Sequence, residues 1–189
     1  MSSFVTCHAL SILFFIVFST LFSTNYGVFI KEFPEANVRK PVEKRSHLQF
    51  YLHDTLDGKS PSAVRIAGLP NSTFMNFTNT MIADDPLTGG PKPTSKLVGR
   101  AQGVYAMAAK NDVALLTVLN FAFLEGKHNG SSISIVGRNH VFDAVREMPI
   151  IGGSGLFRFA RGYALANTFW VDSKTGDAIV EYNLFVWHF

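Results

Sequence analysis

The chain has 189 residues, 47% of them hydrophobic and 13% aromatic, which suits a single domain with a well-filled core. Its 17 Lys and Arg stand against 14 Asp and Glu, a net charge of +3. That mild, unclustered excess excludes a nucleic-acid binder and is compatible with an acidic surface such as wall polysaccharide.

Residues 9–22 (ALSILFFIVFSTLF) form an apolar run of signal-peptide length, short of the roughly 20 residues of a membrane span. The small residues Ser23, Thr24 and Gly27 follow it. Residues 1–24 are therefore expected to be a secretory signal, cleaved between about 19 and 27, rather than a membrane anchor. Sequons at Asn71, Asn76 and Asn129 agree with a secreted glycoprotein. The only cysteine, Cys7, lies inside the signal, so the mature chain is expected to lack disulfide and thiol chemistry. Residues 25–46 are polar, contain proline and carry mixed charge without periodicity. This is the pattern of a flexible arm ahead of a domain spanning residues 47–189.

From His47 the period becomes that of strands. HLQFYLHDTL (47–56) alternates Leu48, Phe50 and Leu52 with His47, Gln49, Tyr51 and His53, and Asp54 continues the apolar face. Further strands are predicted at 63–69, 96–108, 113–125, 131–139, 148–151, 156–172 and 178–189. Gly, Pro, Asn and Asp punctuate them at 57–58, 84–86, 89–91, 110–112, 128–130, 152–153 and 174–177. Short strands at this spacing predict an all-β antiparallel barrel or sandwich. VALLTVLNFAFLE (113–125) is apolar on both faces; a helix is open to it, and its Val, Thr and Phe favour a strand. In a one-domain barrel such a strand needs cover on its outer side, which predicts self-association.

The common catalytic motifs are absent: no GxGxxG at a strand–helix junction, no P-loop, no GxSxG and no HExxH. The six His residues are scattered without metal-ligand spacing, so neither a metal nor a cofactor is expected. Without a thiol or a metal set, the chain has no evident centre for one-electron oxidation. What remains is carboxylates and guanidiniums at strand ends. Residues 137–162 (GRNHVFDAVREMPIIGGSGLFRFARG) set Arg138, Asp143, Arg146, Glu147, Arg158 and Arg161 among apolar residues, and a Gly152–Gly155 turn is expected in their midst. Charges in such a setting are either buried and paired or line a pocket. Asp54 has two readings: a general acid or base raised by desolvation, or a turn aspartate capping Leu56, Asp57 and Gly58. Arg146 and Glu147, beside Met148 and Pro149, likewise read either as pocket groups or as a structural ion pair or exposed loop charges.

Five stretches carry a resemblance. LQFYLHDTL (48–56), DDPLTGGPKPTSKLVGRAQGVYA (84–106), NFAFLEGKHNGSSISIVGRN (120–139), VREMPIIGGSGLFRFARGYA (145–164) and TGDAIVEYNLFVWHF (175–189) resemble the plant dirigent proteins in order and spacing. The resemblance implies an eight-stranded antiparallel β-barrel similar to allene oxide cyclase, a homotrimer, and secretion to the apoplast. It also implies a role with phenolic radicals of the coniferyl alcohol type, generated by an external laccase or peroxidase, whose coupling the protein makes selective. Family members that act on quinone methides use acidic residues for proton transfer.

Carried over by motif, Asp54 in YLHD and Arg146 in VREMP are the expected catalytic residues. Tyr105 in GRAQGVYA, Asn139 and Phe50 are expected to bind substrate. Pinoresinol-forming members have an aspartate where this chain has Asn139, and an amide cannot exchange a proton at neutral pH. Two-acid cyclisation is therefore not expected of Asn139. Asp143 lies nearby, though on an extended chain its offset would displace it by about 10 Å or more.

Overall fold

The computed structural model describes residues 42–189; the signal and most of the arm lie outside the described residues. Nine strands follow one another: β1 (Lys44–Asp54), β2 (Ala63–Ala67), β3 (Thr80–Thr88), β4 (Leu97–Met107) and β5 (Ala114–Phe123), then β6 (Ser132–His140), β7 (Arg146–Ser154), β8 (Arg161–Val171) and β9 (Ala178–His188). All pairings are antiparallel, in the order β1-β9-β8-β7-β6-β5-β4-β3-β2. A further pairing of β1 with β3, Tyr51 to Thr88 and Leu52 to Leu87, closes the sheet into an eight-stranded barrel and leaves β2 as an outer flap on β3. Closure removes the free edges that an open sheet would expose.

Alternation works as anticipated along β1 and β5. Phe50 and Leu52 point inward on β1, as do Leu119, Phe121 and Phe123 on β5, so the strand reading of residues 113–125 holds over the helical one. One end of the barrel is filled by Phe50, Phe121, Phe123, Phe157 and Tyr182. Phe50 meets Phe121 edge-on with ring centroids 5.0 Å apart. The outer side of β5 is left bare. Val64, Ile82, Val104, Val118 and Val136 lie in register across five neighbouring strands, and Val64, Ile82 and Val118 are exposed.

Several boundaries need correction. Residues 44–46, expected in the flexible arm, are the first residues of β1 and pair with β9 from His188 to Val186. Residues 84–86, expected to be a turn, lie inside β3. Asp84 donates its backbone N–H to the Ser62 carbonyl on the β2 side, so Pro86, two residues on, turns its donor-free nitrogen to the same side. There β3 passes from pairing with β2 to pairing with β1, and no ladder hydrogen bond is lost. Gly152 and Gly153 are likewise strand, not turn. A Cβ on Gly153 would come within 2.5 Å of the Ser132 carbonyl and 2.7 Å of that of Phe157, so the glycine serves close backbone approach. The strand expected from residue 156 begins at Arg161, after a 3-10 turn at Gly155–Phe157.

Candidate active site

The other end of the barrel is open. A cavity of about 590 Å³ is lined by Asp54 at the end of β1, Tyr105 and Met107 on β4, Arg146 opening β7, and Thr168 on β8. Phe74, Met75, Met81 and Leu115 give it an apolar wall. The polar groups come from strand ends because there the inward face passes from packed core to accessible space without a change of backbone period.

Asp54 continues the Phe50 and Leu52 face, as its spacing predicts. Tyr105 donates to Asp54 Oδ2 at 2.7 Å, while Oδ1 is buried and has no hydrogen-bond partner among the described residues. Burial raises the carboxyl to about 6 against the stabilising Tyr105 hydrogen bond, with the Asp177 charge adding to the rise. The same surroundings push the Tyr105 phenol well above its ordinary value. Asp54 does not cap the following turn. Asp177 does, its Oδ1 accepting from Leu56 N at 2.8 Å and Asp57 N at 3.3 Å. The reading of Asp54 as a turn aspartate is thereby removed.

Arg146 is 4% exposed, and every protein group it donates to is neutral. Nε donates to Asn139 Oδ1 at 3.1 Å, and Nη1 to Thr168 Oγ1 at 2.9 Å and to the Asp143 carbonyl at 3.4 Å. Among the described residues no carboxylate forms an ion pair with it, so its charge is oriented but not cancelled. Glu147 is exposed and takes no part. The remaining charges of the 137–162 cluster are also outside: Arg138 pairs with Asp112 at 2.8 Å, Arg161 with Glu43 at 2.6 Å, and Arg158 is exposed. Their apolar neighbours alternate with them across the sheet, so nearness in sequence did not imply burial.

Asn139 is buried and serves as the rest that fixes the guanidinium plane. Phe50 does not line the cavity. At 2% exposure it lies in the packed end, stacked on Tyr182 at 5.9 Å, because its position two pleats before Asp54 sets it deeper in the barrel. Asp143 does reach the rim, since β6 ends at His140 and the chain turns instead of running extended. Its carboxylate is engaged by His140 Nδ1 at 2.6 Å, and the other ring nitrogen meets Asp112 at 2.9 Å. All three sequon asparagines are exposed.

Two contributors escaped the sequence reading. Thr168 carries no motif of its own. Asp85 is 1% exposed beside Asp54, and burial together with the Asp54 charge raises it to about 8. Its signal was present: Met81, Ala83, Asp85 and Leu87 alternate as an inward face in TMIADDPLT, hidden by the turn-like Asp-Asp-Pro.

A closed antiparallel eight-stranded barrel with one filled end and, at the other, a pocket tipped by a carboxylate, a phenol and a guanidinium is the architecture of dirigent-type barrels. The chain belongs to the dirigent-like protein family, whose profile matches residues 45–187. It is 53% identical over 148 residues to dirigent protein 1 of Arabidopsis thaliana, covering 77% of this chain and 80% of that one. Pterocarpan synthase 1 of Glycine max is 44% identical over 192 residues and covers 100% of this chain and 98% of its own. Among solved structures, the pterocarpan synthase dirigent protein GePTS1 superposes with a TM-score of 0.75 at 46% identity, covering 80% of this chain and 89% of its own. The chain thus has a dirigent-type role.

Proposed function

We propose that the protein is a dirigent-domain enzyme that removes water from a hydroxylated phenolic of the isoflavanol class by way of a quinone methide. The observation that carries this reading is the Asp54–Tyr105 couple: a cavity-facing carboxyl at about 6 exchanges a proton in either direction near neutral pH. In the forward step the carbinol C–O bond breaks and the leaving oxygen takes a proton from Asp54. The phenol releases its own proton to solvent, and its electrons form the quinone methide; the methide oxygen takes a proton back from solvent when the ring closes, so the overall balance is loss of one water. Arg146, paired with no carboxylate among the described residues, holds the phenolic oxygen as charge develops there. Asp54 then recovers a proton from the hydroxyl that adds to the methide and closes the ring. Similarity to pterocarpan synthases over the full chain supports the same class of chemistry.

A second reading places a phenoxy radical of the coniferyl alcohol type in the same cavity, made by an external laccase or peroxidase, with the walls directing its coupling. The relatives named dirigent proteins, at up to 53% identity, favour it. Under either reading we take the protein to be secreted to the apoplast and trimeric. The exposed sequons support the first, and the bare Val64 to Val136 row offers a surface for the second. Chiral chromatography over a panel of phenols, with and without laccase, separates the readings: dehydration proceeds without an oxidase, whereas radical coupling requires one.

A further inference from the structure

Behind Asp54 lies a second carboxyl that does not reach the cavity. Asp85 stands at the fork where β1 and β2 part along β3. Leu52 pairs with Leu87, and the same antiparallel count carried on by two residues sets Asp54 level with Asp85, both on the inward face. Ser62, the residue before β2, closes the fork. Its Oγ accepts from Thr55 N at 2.9 Å and gives its proton to Asp85 Oδ1 at 2.6 Å.

The charged surroundings of Asp85 are unfavourable to a second negative charge. Asp54 faces it from β1, Asp84 adjoins it, and the phenols of Tyr105 on β4 and Tyr182 on β9 feel its charge as an opposing one. Among the described residues Arg100 on β4 is the one cation acting on it, and Arg100 is already paired with Asp84 at 2.6 Å. His53, also at the fork, is buried against Thr88 at 2.7 Å, and burial favours its neutral form. Asp177 adds a further negative charge at Asp54. Two carboxyls side by side in such a setting do not both ionise near neutrality.

We propose that Asp54 and Asp85 act as one pair that retains a single proton while Asp54 exchanges its own with substrate, and that Asp85, sealed from the cavity, is where that proton stays. Asp85 is then a positioning residue for the reaction: by remaining neutral it keeps Asp54 from being driven to a higher ionisation range. This inference rests on Asp54 being the exchanging group of the proposed reaction, but the proton itself is observable without any substrate.

The test is infrared spectroscopy of the full protein at pH 7, with the carboxylic C=O stretch as readout. Wild type is expected to show the band and Asp85→Asn to lack it, whereas Asp54→Asn, which removes the neighbouring negative charge, is expected to lose the band at a lower pH than wild type. A wild type without the band, or a band that survives in Asp85→Asn, overturns the proposal whatever the protein's substrate. In turnover, Asp85→Asn mimics the protonated acid and still accepts from Ser62. It is expected to keep the descending limb set by Asp54 near 6 and to lose the inflection near 8. Ser62→Ala removes a hydrogen bond that favours the charged form, so the same inflection moves to higher pH. It also serves as the reporter if Asp85→Asn fails to fold, and an unmoved inflection in Ser62→Ala counts against the pair.

Discussion

Among the described residues, Tyr105 gives the single hydrogen bond received by the Asp54 carboxylate, at 2.7 Å to Oδ2, while Oδ1 stays buried and unpartnered. That donation favours the charged carboxylate and offsets part of the desolvation that raises it to about 6. Tyr105→Phe therefore shifts Asp54 upward, by about one pH unit for the loss of one charge-assisted hydrogen bond. The descending limb of the kcat/KM profile, where Asp54 loses the proton it must donate, reads the shift directly. An unmoved limb would place the titrating group elsewhere.

Asn139 orients Arg146 without neutralising it. Asn139→Asp would set a carboxylate against Nε at the present 3.1 Å spacing and cancel the charge offered to a phenolic oxygen. KM for the phenolic substrate is expected to rise about tenfold, equivalent to about 1.4 kcal/mol, with a smaller change in kcat. Arg146→Lys should lose more, since an ammonium cannot hold three fixed acceptors and still face the cavity. Steady-state kinetics on the two variants check both statements.

His140 ties the β4–β5 loop to the β6–β7 rim through Asp112 and Asp143, one on each ring nitrogen. A neutral imidazole has one donor, so both carboxylates are satisfied only by the imidazolium, and these hydrogen bonds raise its pKa above the ordinary 6.5. The folded state thus binds this proton more tightly than the unfolded chain. The contribution is fully present below pH 6.5 and is lost as pH rises through the raised value. Hydrogen-exchange protection of residues 141–145 is expected to fall across that window in wild type and to be low throughout in His140→Ala.

Much of this was legible because period two survives in the sequence. The run from Leu48 to Asp54 marks both the core face and the acid at its end, and the Phe residues of β5 mark a buried strand. Where reading failed, the cause was local. Asp84, Asp85 and Pro86 have turn chemistry, yet the barrel tolerates them because β3 changes partners there, and with that strand the second acid was lost. Phe50 shares a face with Asp54 but not its depth, which depends on how far each strand runs before the cavity opens. The burial of Arg146, alone among six neighbouring charges, follows from strand register, which no single segment specifies.

The bare outer row predicts association. Ile82 and Val118 lie on adjacent ladders flanking Val104, and both are exposed. Ile82→Glu with Val118→Lys should convert the assembly to monomers in multi-angle light scattering while leaving Tm within a few degrees, since neither side chain fills the core. A variant of unchanged mass would place the interface on another face.

On the proposed reading, Asp54 moves a proton in chemistry that needs no oxidant. Incubating the protein with an isoflavanol, with oxygen and oxidase excluded, and following water loss by chromatography and mass tests it most directly. Wild type is expected to form the dehydrated, ring-closed product. Asp54→Asn is expected to be slower by about 10²- to 10⁴-fold, with its fold intact because one carboxylate oxygen has no partner to lose. No turnover by wild type, alongside selective coupling of coniferyl alcohol once laccase is added, would contradict the account.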